Sequence, residues 1–190
     1  DRPSETEINM LVIHSISLPP NDFERSFVDD FFTNCLDVSA HPYFLTIAQL
    51  KVSAHLYIDR NGVLTQYVPF GKRAWHAGKS SFQGEHDCNN FSIGIELQGS
   101  DHVPFTDEQY SKICRVSRQI IKRYPTITMD RIVGHCDIAR IAACILMHGH
   151  QTRHAAAFII FAAHGMARPF RGNHGYIKVG ARHNQLEVNR

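Results

Sequence analysis

Several protein classes are excluded by what the chain lacks. Its five cysteines, Cys35, Cys88, Cys114, Cys136 and Cys144, form no Cys-x-x-Cys pair and leave an odd count. That argues against a secreted disulfide framework and for a reducing compartment. No apolar run approaches the roughly 20 residues that cross a bilayer, and the longest, Ala155 to Ala163, falls far short. The first residues carry no signal-peptide pattern. A cytoplasmic location without a membrane partner is therefore expected. In residues 139–190 the charges are mostly isolated Arg and form no Lys/Arg cluster, so the electrostatic footprint of nucleic-acid binding is missing there. No internal repeat is present.

Acidic residues are scarce in one region only. Residues 1–138 hold 13 Lys/Arg and 17 Asp/Glu, a net charge of −4. Residues 139–190 hold 7 Lys/Arg and a single acid, Glu187, a net charge of +6. Six of the 13 histidines also fall in that last quarter. The overall +2 thus hides a seam near residue 139. Such a shift marks a domain boundary, a basic tail, or a segment of different coding history.

What is present points to an α/β domain. The chain's 190 residues suffice for one domain with a substantial core. "INMLVIHSISLPP" begins with β-prone apolar residues and stops at Pro19-Pro20, which predicts a buried strand with His14 near its end. In "NDFERSFVDDFF", Asn21 can cap, Glu24 follows three later, and Phe23, Phe27 and Phe31 recur every four, so an amphipathic helix is expected. "VSAHLYIDRNGVLTQYVP" predicts a hairpin turning at Asn61-Gly62. "FSIGIELQG" alternates Ile93, Ile95 and Leu97 with Gly94, Glu96 and Gln98, a strand whose Glu96 points away from the apolar face. "FTDEQYSKICRVSRQIIKRYP" is the clearest helix, with Thr106 and Gln109 as a capping box and Pro125 closing it. "RIVGHCD" is a last short strand ending at His135. Interleaved strands and helices imply a central mixed sheet flanked by helices.

His14 and His135 both sit near ends of apolar strands, where sites assemble in α/β folds. Glu96 lies among apolar residues, where an ionised carboxylate is costly without a partner. Two imidazoles and a carboxylate fit a catalytic zinc site that keeps one position for water, with the carboxylate taking a proton as the water attacks a carbonyl. The long spacing of these three residues matches no short-range ligand motif, and an alternative stays open: Glu96 faces solvent and the histidines are structural. Trp75, the single Trp, is likewise either a core aromatic or part of a binding surface. His55 in "VSAHLYI" sits in a strand and is read as structural.

Five stretches carry a resemblance: "LVIHSISLPP", "DVSAHPYF", "LKVSAHLYIDRNGVLTQYVPFGKRAWHAG", "CNNFSIGIELQG" and "VGHCDIA". Over nearly all of residues 8–139 the chain resembles the zinc-dependent N-acetylmuramoyl-L-alanine amidases, and among them the AmpD-type 1,6-anhydro-N-acetylmuramyl-L-alanine amidases. "RAWHAG" and "NNFSIGIEL" are shared with the wider group that includes peptidoglycan recognition proteins. The resemblance implies an amidase/peptidoglycan-recognition-protein-like fold, Zn2+ as cofactor and an anhydro-muropeptide as substrate. It matches His14 and His135 to two zinc ligands and Glu96 to the catalytic carboxylate. Trp75, His76 and Asn90 fall where the family lines its muropeptide groove. A non-catalytic muropeptide-binding module is the alternative to the enzyme.

The resemblance breaks after "GHCDIA". The family continues with a short Arg-Lys-Thr-Asp-Pro-Gly-Pro run whose Asp is the third zinc ligand and whose Lys stabilises developing charge. Here Ala143 stands at the Lys position and Ile145 at the Asp position. The break coincides with the charge seam. The expected organisation is thus an amidase core over 1–139 and an atypical basic segment over 140–190, as a frameshift would produce. Cys144, His148, His150 and His154 are candidate substitute donors in that segment.

Overall fold

The computed structural model of the chain describes residues 1–24, 27–100, 102–139 and 149–163, with side chains in the last stretch described for 152–160. A five-stranded sheet forms the centre, built from β1 (Met10–Ile16), β2 (Leu56–Ile58), β3 (Leu64–Gln66), β6 (Ser92–Gln98) and β7 (Ile132–Gly134). Its strand order is β3-β2-β6-β1-β7. A small separate hairpin pairs β4 (Ser81–Phe82) with β5 (Glu85–His86). The β1–β6, β1–β7 and β2–β6 pairs are parallel, and β2–β3 is antiparallel, so the sheet is mixed as expected. Helices α1 (Val28–Phe32), α2 (Phe44–Ile47), α3 (Asp107–Arg123), α4 (His135–Ile138) and α5 (Gly149–Ala163) flank it.

Strand alternation divides the sheet into two chemical faces. Leu11 and Ile13 of β1 and Ile93, Ile95 and Leu97 of β6 pack against Ile113, Cys114 and Ile120 of α3 and Ala155, Ala156 and Ile159 of α5. On the other face Met10, Val12, Val133, Cys88 and Phe91 form a second cluster. His14 and Glu96 share the parity of that second face, so they are buried on the side away from α3 and α5. A third cluster joins Ile16, Leu18, α1, α2 and Tyr57.

Local chemistry explains most boundaries. Thr106 Oγ1 accepts the Gln109 N–H while Gln109 Oε1 accepts the Thr106 N–H, so α3 starts with the expected capping box. The Gln109 amide also donates to the Ile58 and Gln98 carbonyls, which ties the helix start to β2 and β6. The hairpin turns where Asn61-Gly62 predicted, with Gly62 at φ +75° and the Asp59 carboxylate accepting the Asn61 and Val63 N–H groups. The helix expected from Asn21 is much shorter than its Phe spacing implied, since α1 begins only at Val28. Asn21 adopts φ +64° and donates its N–H to Ser17 Oγ, and Asp22 Oδ1 accepts the Glu24 N–H. Those local bonds compete with helix initiation.

Helix α5 lies beyond the charge seam and packs on the same core as α3. Its Arg153 Nε donates to Asp137 Oδ1 at 2.6 Å, and Asp137 Oδ2 accepts the Gly134 N–H at the start of α4. No described helix is long and apolar enough to cross a membrane.

Candidate active site

The parallel register of β1 and β6 places His14 directly opposite Glu96. Glu96 Oε1 lies 3.9 Å from His14 Nδ1, too far for a hydrogen bond. Glu96 is 3% exposed, and among the described residues its Oε2 has no hydrogen-bond partner. Burial raises the Glu96 pKa to about 8 and holds His14 well below the usual imidazole range, with His76 and His135 adding to the His14 shift. Both shifts run toward the neutral forms, so the pair is a contact rather than an ion pair, and a cation held beside Glu96 would favour its ionised, proton-accepting form.

His135 enters from the other side of β1. Strand β7 pairs with β1 through Ile13↔Gly134, and the next residue turns into α4 with its ring aimed back at the sheet. His135 Nδ1 lies 3.0 Å from His14 Nδ1. Burial also lowers the His135 pKa. Two long-range sequence candidates thus converge with Glu96 in one buried cluster. The solvent-facing alternative for Glu96 does not hold, because the second face of the sheet is covered.

The remaining candidates divide between two levels. Trp75 is 50% exposed and stacks under the Arg73 guanidinium, 4.1 Å from its ring centroid, so it is no core aromatic. Trp75 and Asn90 line a groove of about 390 Å³ together with Arg73, Gly78, Asp87 and Asn89. Asn90 Oδ1 accepts from Arg73 Nη1 at 2.8 Å. His76, the residue after Trp75, is buried beneath this surface. Its Nδ1 is 2.8 Å from His14 Nε2. The backbone N–H groups of His76 and Ala77 both donate to Asn89 Oδ1, so the groove floor holds the buried imidazole in place.

Several participants were not legible as site residues. His55 lies within the buried cluster, its ring centroid 5.6 Å from that of His76. The Gly94 N–H donates to His55 Nδ1, so the ring proton sits on Nε2 and donates to the Lys72 carbonyl. The Arg2 guanidinium near that nitrogen bonds instead to the carbonyls of Phe70, Asn89, Asn90 and Ser92. Gly94 matters by absence, since a Cβ there would lie 2.4 Å from the His76 ring. The only hint in the sequence was the Gly in an otherwise β-prone run.

Among the described residues no group of three His, Cys, Asp or Glu side chains is placed to hold a metal ion. His14 and His135 supply two nitrogens. Ala143, Ile145, Cys144 and His148 lie outside the described residues, as does the side chain of His150.

Comparison with known proteins places the chain in a family. The family model described as N-acetylmuramoyl-L-alanine amidase matches residues 4–154, which reaches past the charge seam into α5. The 1,6-anhydro-N-acetylmuramyl-L-alanine amidase AmpD of Haemophilus influenzae is 58% identical over 138 residues, 73% of this chain and 75% of the relative. The protein of that name from Citrobacter freundii is 52% identical over 138 residues, 73% of each. The crystal structure of a selenomethionine AmpD derivative superposes with a TM-score of 0.71 at 51% identity, covering 74% of this chain and 78% of that one. With the family model spanning most of its length and these relatives alongside, the chain belongs to the N-acetylmuramoyl-L-alanine amidase family.

Proposed function

We propose that this chain hydrolyses the amide between N-acetylmuramic acid, in its 1,6-anhydro form, and L-alanine, with Zn2+ as cofactor, in cytoplasmic cell-wall recycling. The observation that carries this reading is the convergence of two imidazole Nδ1 atoms 3.0 Å apart beside a buried carboxylate with an unpartnered oxygen. The relatives that bear the name of this activity support it. Two nitrogens sharing one tetrahedral ion stand about 3.3 Å apart at ordinary zinc–nitrogen distances, so the His14 and His135 pair fits such an ion. An unpartnered buried Glu96 oxygen fits a site completed by a cation or a polar ligand.

When bound, zinc supplies Lewis-acid polarisation of the scissile carbonyl and lowers the pKa of water. The chain's own residues do the rest. Glu96, 3.9 Å from His14, takes the proton of the attacking water at a carboxylate oxygen and returns it to the leaving amine of L-alanine. Burial of Glu96 keeps bulk water from competing for that proton. Trp75 offers an exposed aromatic face to the sugar, and the Arg73–Asn90 pair offers polar groups to the peptide.

Residues 1–139 form the amidase core in this reading, and 140–190 are its atypical continuation. With Ala143 and Ile145 at the family's Lys and Asp positions, two nitrogens hold zinc weakly, and substoichiometric zinc is expected in the purified chain. A catalytically impaired muropeptide-binding module is the less favoured reading, because the similar proteins carry amidase names. The test is release of the peptide amine from an anhydro-muramyl-peptide, with and without added zinc. Zinc-dependent release supports the amidase. A folded, zinc-loaded chain that binds the muropeptide and releases nothing leaves the binding module standing.

A further inference from the structure

We infer that His76 and Ser92 form a hydrogen-bonded relay that fixes the His14 ring as the Nε2–H tautomer, so that Nδ1 is the unprotonated atom it turns toward a metal ion. His76 is therefore a positioning residue rather than part of the groove surface. The inference rests on the proposed role of His14 as a ligand and goes beyond it, because it concerns how the ligand atom is chosen.

The assignment follows from counting protons along the chain of contacts. The Ser92 hydroxyl has one proton and lies 2.5 Å from the Cys88 carbonyl, which can only accept. Ser92 Oγ must then be an acceptor toward His76 Nε2, 3.3 Å away. A neutral imidazole carries one N–H. With His76 protonated at Nε2, its Nδ1 is a lone pair. His14 Nε2, 2.8 Å from that lone pair, must carry the His14 proton. His14 Nδ1 consequently carries no proton, and in the metal-free chain its lone pair accepts from His135 Nδ1–H at 3.0 Å, a proton that a bound ion would displace. His14 Nδ1 is the atom that faces both His135 Nδ1 at 3.0 Å and the Glu96 carboxylate at 3.9 Å.

Three features hold the relay in place. Gly94 lacks the Cβ that would occupy the position of the His76 ring. Asn89 Oδ1 accepts from the His76 backbone N–H. The side chains of His14, His76 and Ser92 are all buried, so water does not compete for their single protons. Metal-ligating histidines generally have their second nitrogen held by an acceptor, and losing that acceptor costs about 10–100-fold in metal affinity. Here the acceptor is another histidine, set in turn by a serine.

Two measurements test the relay. The first is long-range proton–nitrogen NMR on the metal-free, nitrogen-15-labelled chain, which reads the His14 tautomer directly. Protonation at Nε2 is expected, and protonation at Nδ1 overturns the inference. This readout needs neither zinc nor turnover, so it stands if the proposed amidase activity fails. The second is affinity for zinc alone, by competition with a chromogenic chelator. His76→Ala should weaken it by about 10–100-fold. His76→Asn, whose Oδ1 can accept where Nδ1 did, should restore most of the loss. Equal affinity in His76→Ala and the parent, or equal losses in Ala and Asn with both variants folded, overturns the relay.

Discussion

Ile95 and Glu96 are neighbours in β6, and the strand sends them to opposite sides of the sheet. Ile95 joins Leu11, Ile13, Ile93 and Leu97 in an apolar cluster under α3 and α5. Glu96 joins His14, His76, His135 and Ser92, which are as well buried and entirely polar. The first face gains stability by removing hydrocarbon from water. The second gives some of it back, because a buried carboxyl and several buried imidazoles are held away from their charged forms by desolvation. The difference teaches that burial alone does not distinguish core from site. What distinguishes them is whether the buried atoms can be satisfied without a ligand.

If that contrast is sound, adjacent substitutions should have opposite consequences. Glu96→Gln keeps shape and burial but removes the proton acceptor. It should lower kcat by roughly 10²–10⁴ while muropeptide affinity and the unfolding midpoint stay near the parental values. Hydrolysis at the parental rate by this variant would remove Glu96 from the mechanism. Ile95→Ala, one residue earlier, should instead cost about 2–5 kcal/mol of stability by leaving a cavity under the helices. Urea unfolding measures it, and a loss below about 1 kcal/mol would mean the helix face is loosely packed.

The polar face should also show itself through acid. Burial lowers the His55 pKa to about 4, against about 6.5 for a free imidazole, with the nearby Arg2 lowering it further and the Lys72 carbonyl opposing. His76 faces the same ring from the other side. The folded pKa lies below the unfolded one, so this contribution is complete above about pH 6.5 and is lost as pH falls toward 4. About 3 kcal/mol is at stake. His55→Asn, which can still accept the Gly94 N–H, should flatten the dependence of unfolding free energy on pH across that window. An unchanged slope would show that another group titrates there. The smallest effect belongs to the apolar side: Thr106→Ala removes one cap of α3 and should cost about 1 kcal/mol, or roughly 2–4 °C in Tm. Differential scanning calorimetry would register it, with activity unaltered.

Much of this contrast was legible from the amino-acid order. The alternation through Ile93–Gln98 separated the faces before any coordinates, and Thr106/Gln109 and Asn61-Gly62 marked a helix start and a turn, because each depends on residues close in sequence. His14, Glu96 and His135 stood out as polar groups on apolar strands, and the sheet brings them together. The burial of His76 under Trp75 was not legible, since its partner lies 62 positions away and the contact depends on the missing Cβ of Gly94. Nor was the Arg2 guanidinium bound to four carbonyls, where an N-terminal charge reads as solvated. The seat of α5 on the core was not legible either. Its Ala-rich run suggests a helix, but small residues say little about which surface they press against.

The pairing of β1 with β6 has one more consequence. His14 and Glu96 are opposite each other only because Met10 is opposite Ser92 and Ile16 opposite Gln98. Side chains alternate with a period of two, so a slip of one residue would turn the carboxyl toward α3 and bring Ile95 or Leu97 against His14. A misregistered sheet would therefore expose its error twice, as an acid in the hydrocarbon layer and as an isoleucine or leucine among the imidazoles. The chemistry of the site doubles as a proofreader of the fold, and a chain that has assembled its central strands correctly has assembled His14 and Glu96 in the same act.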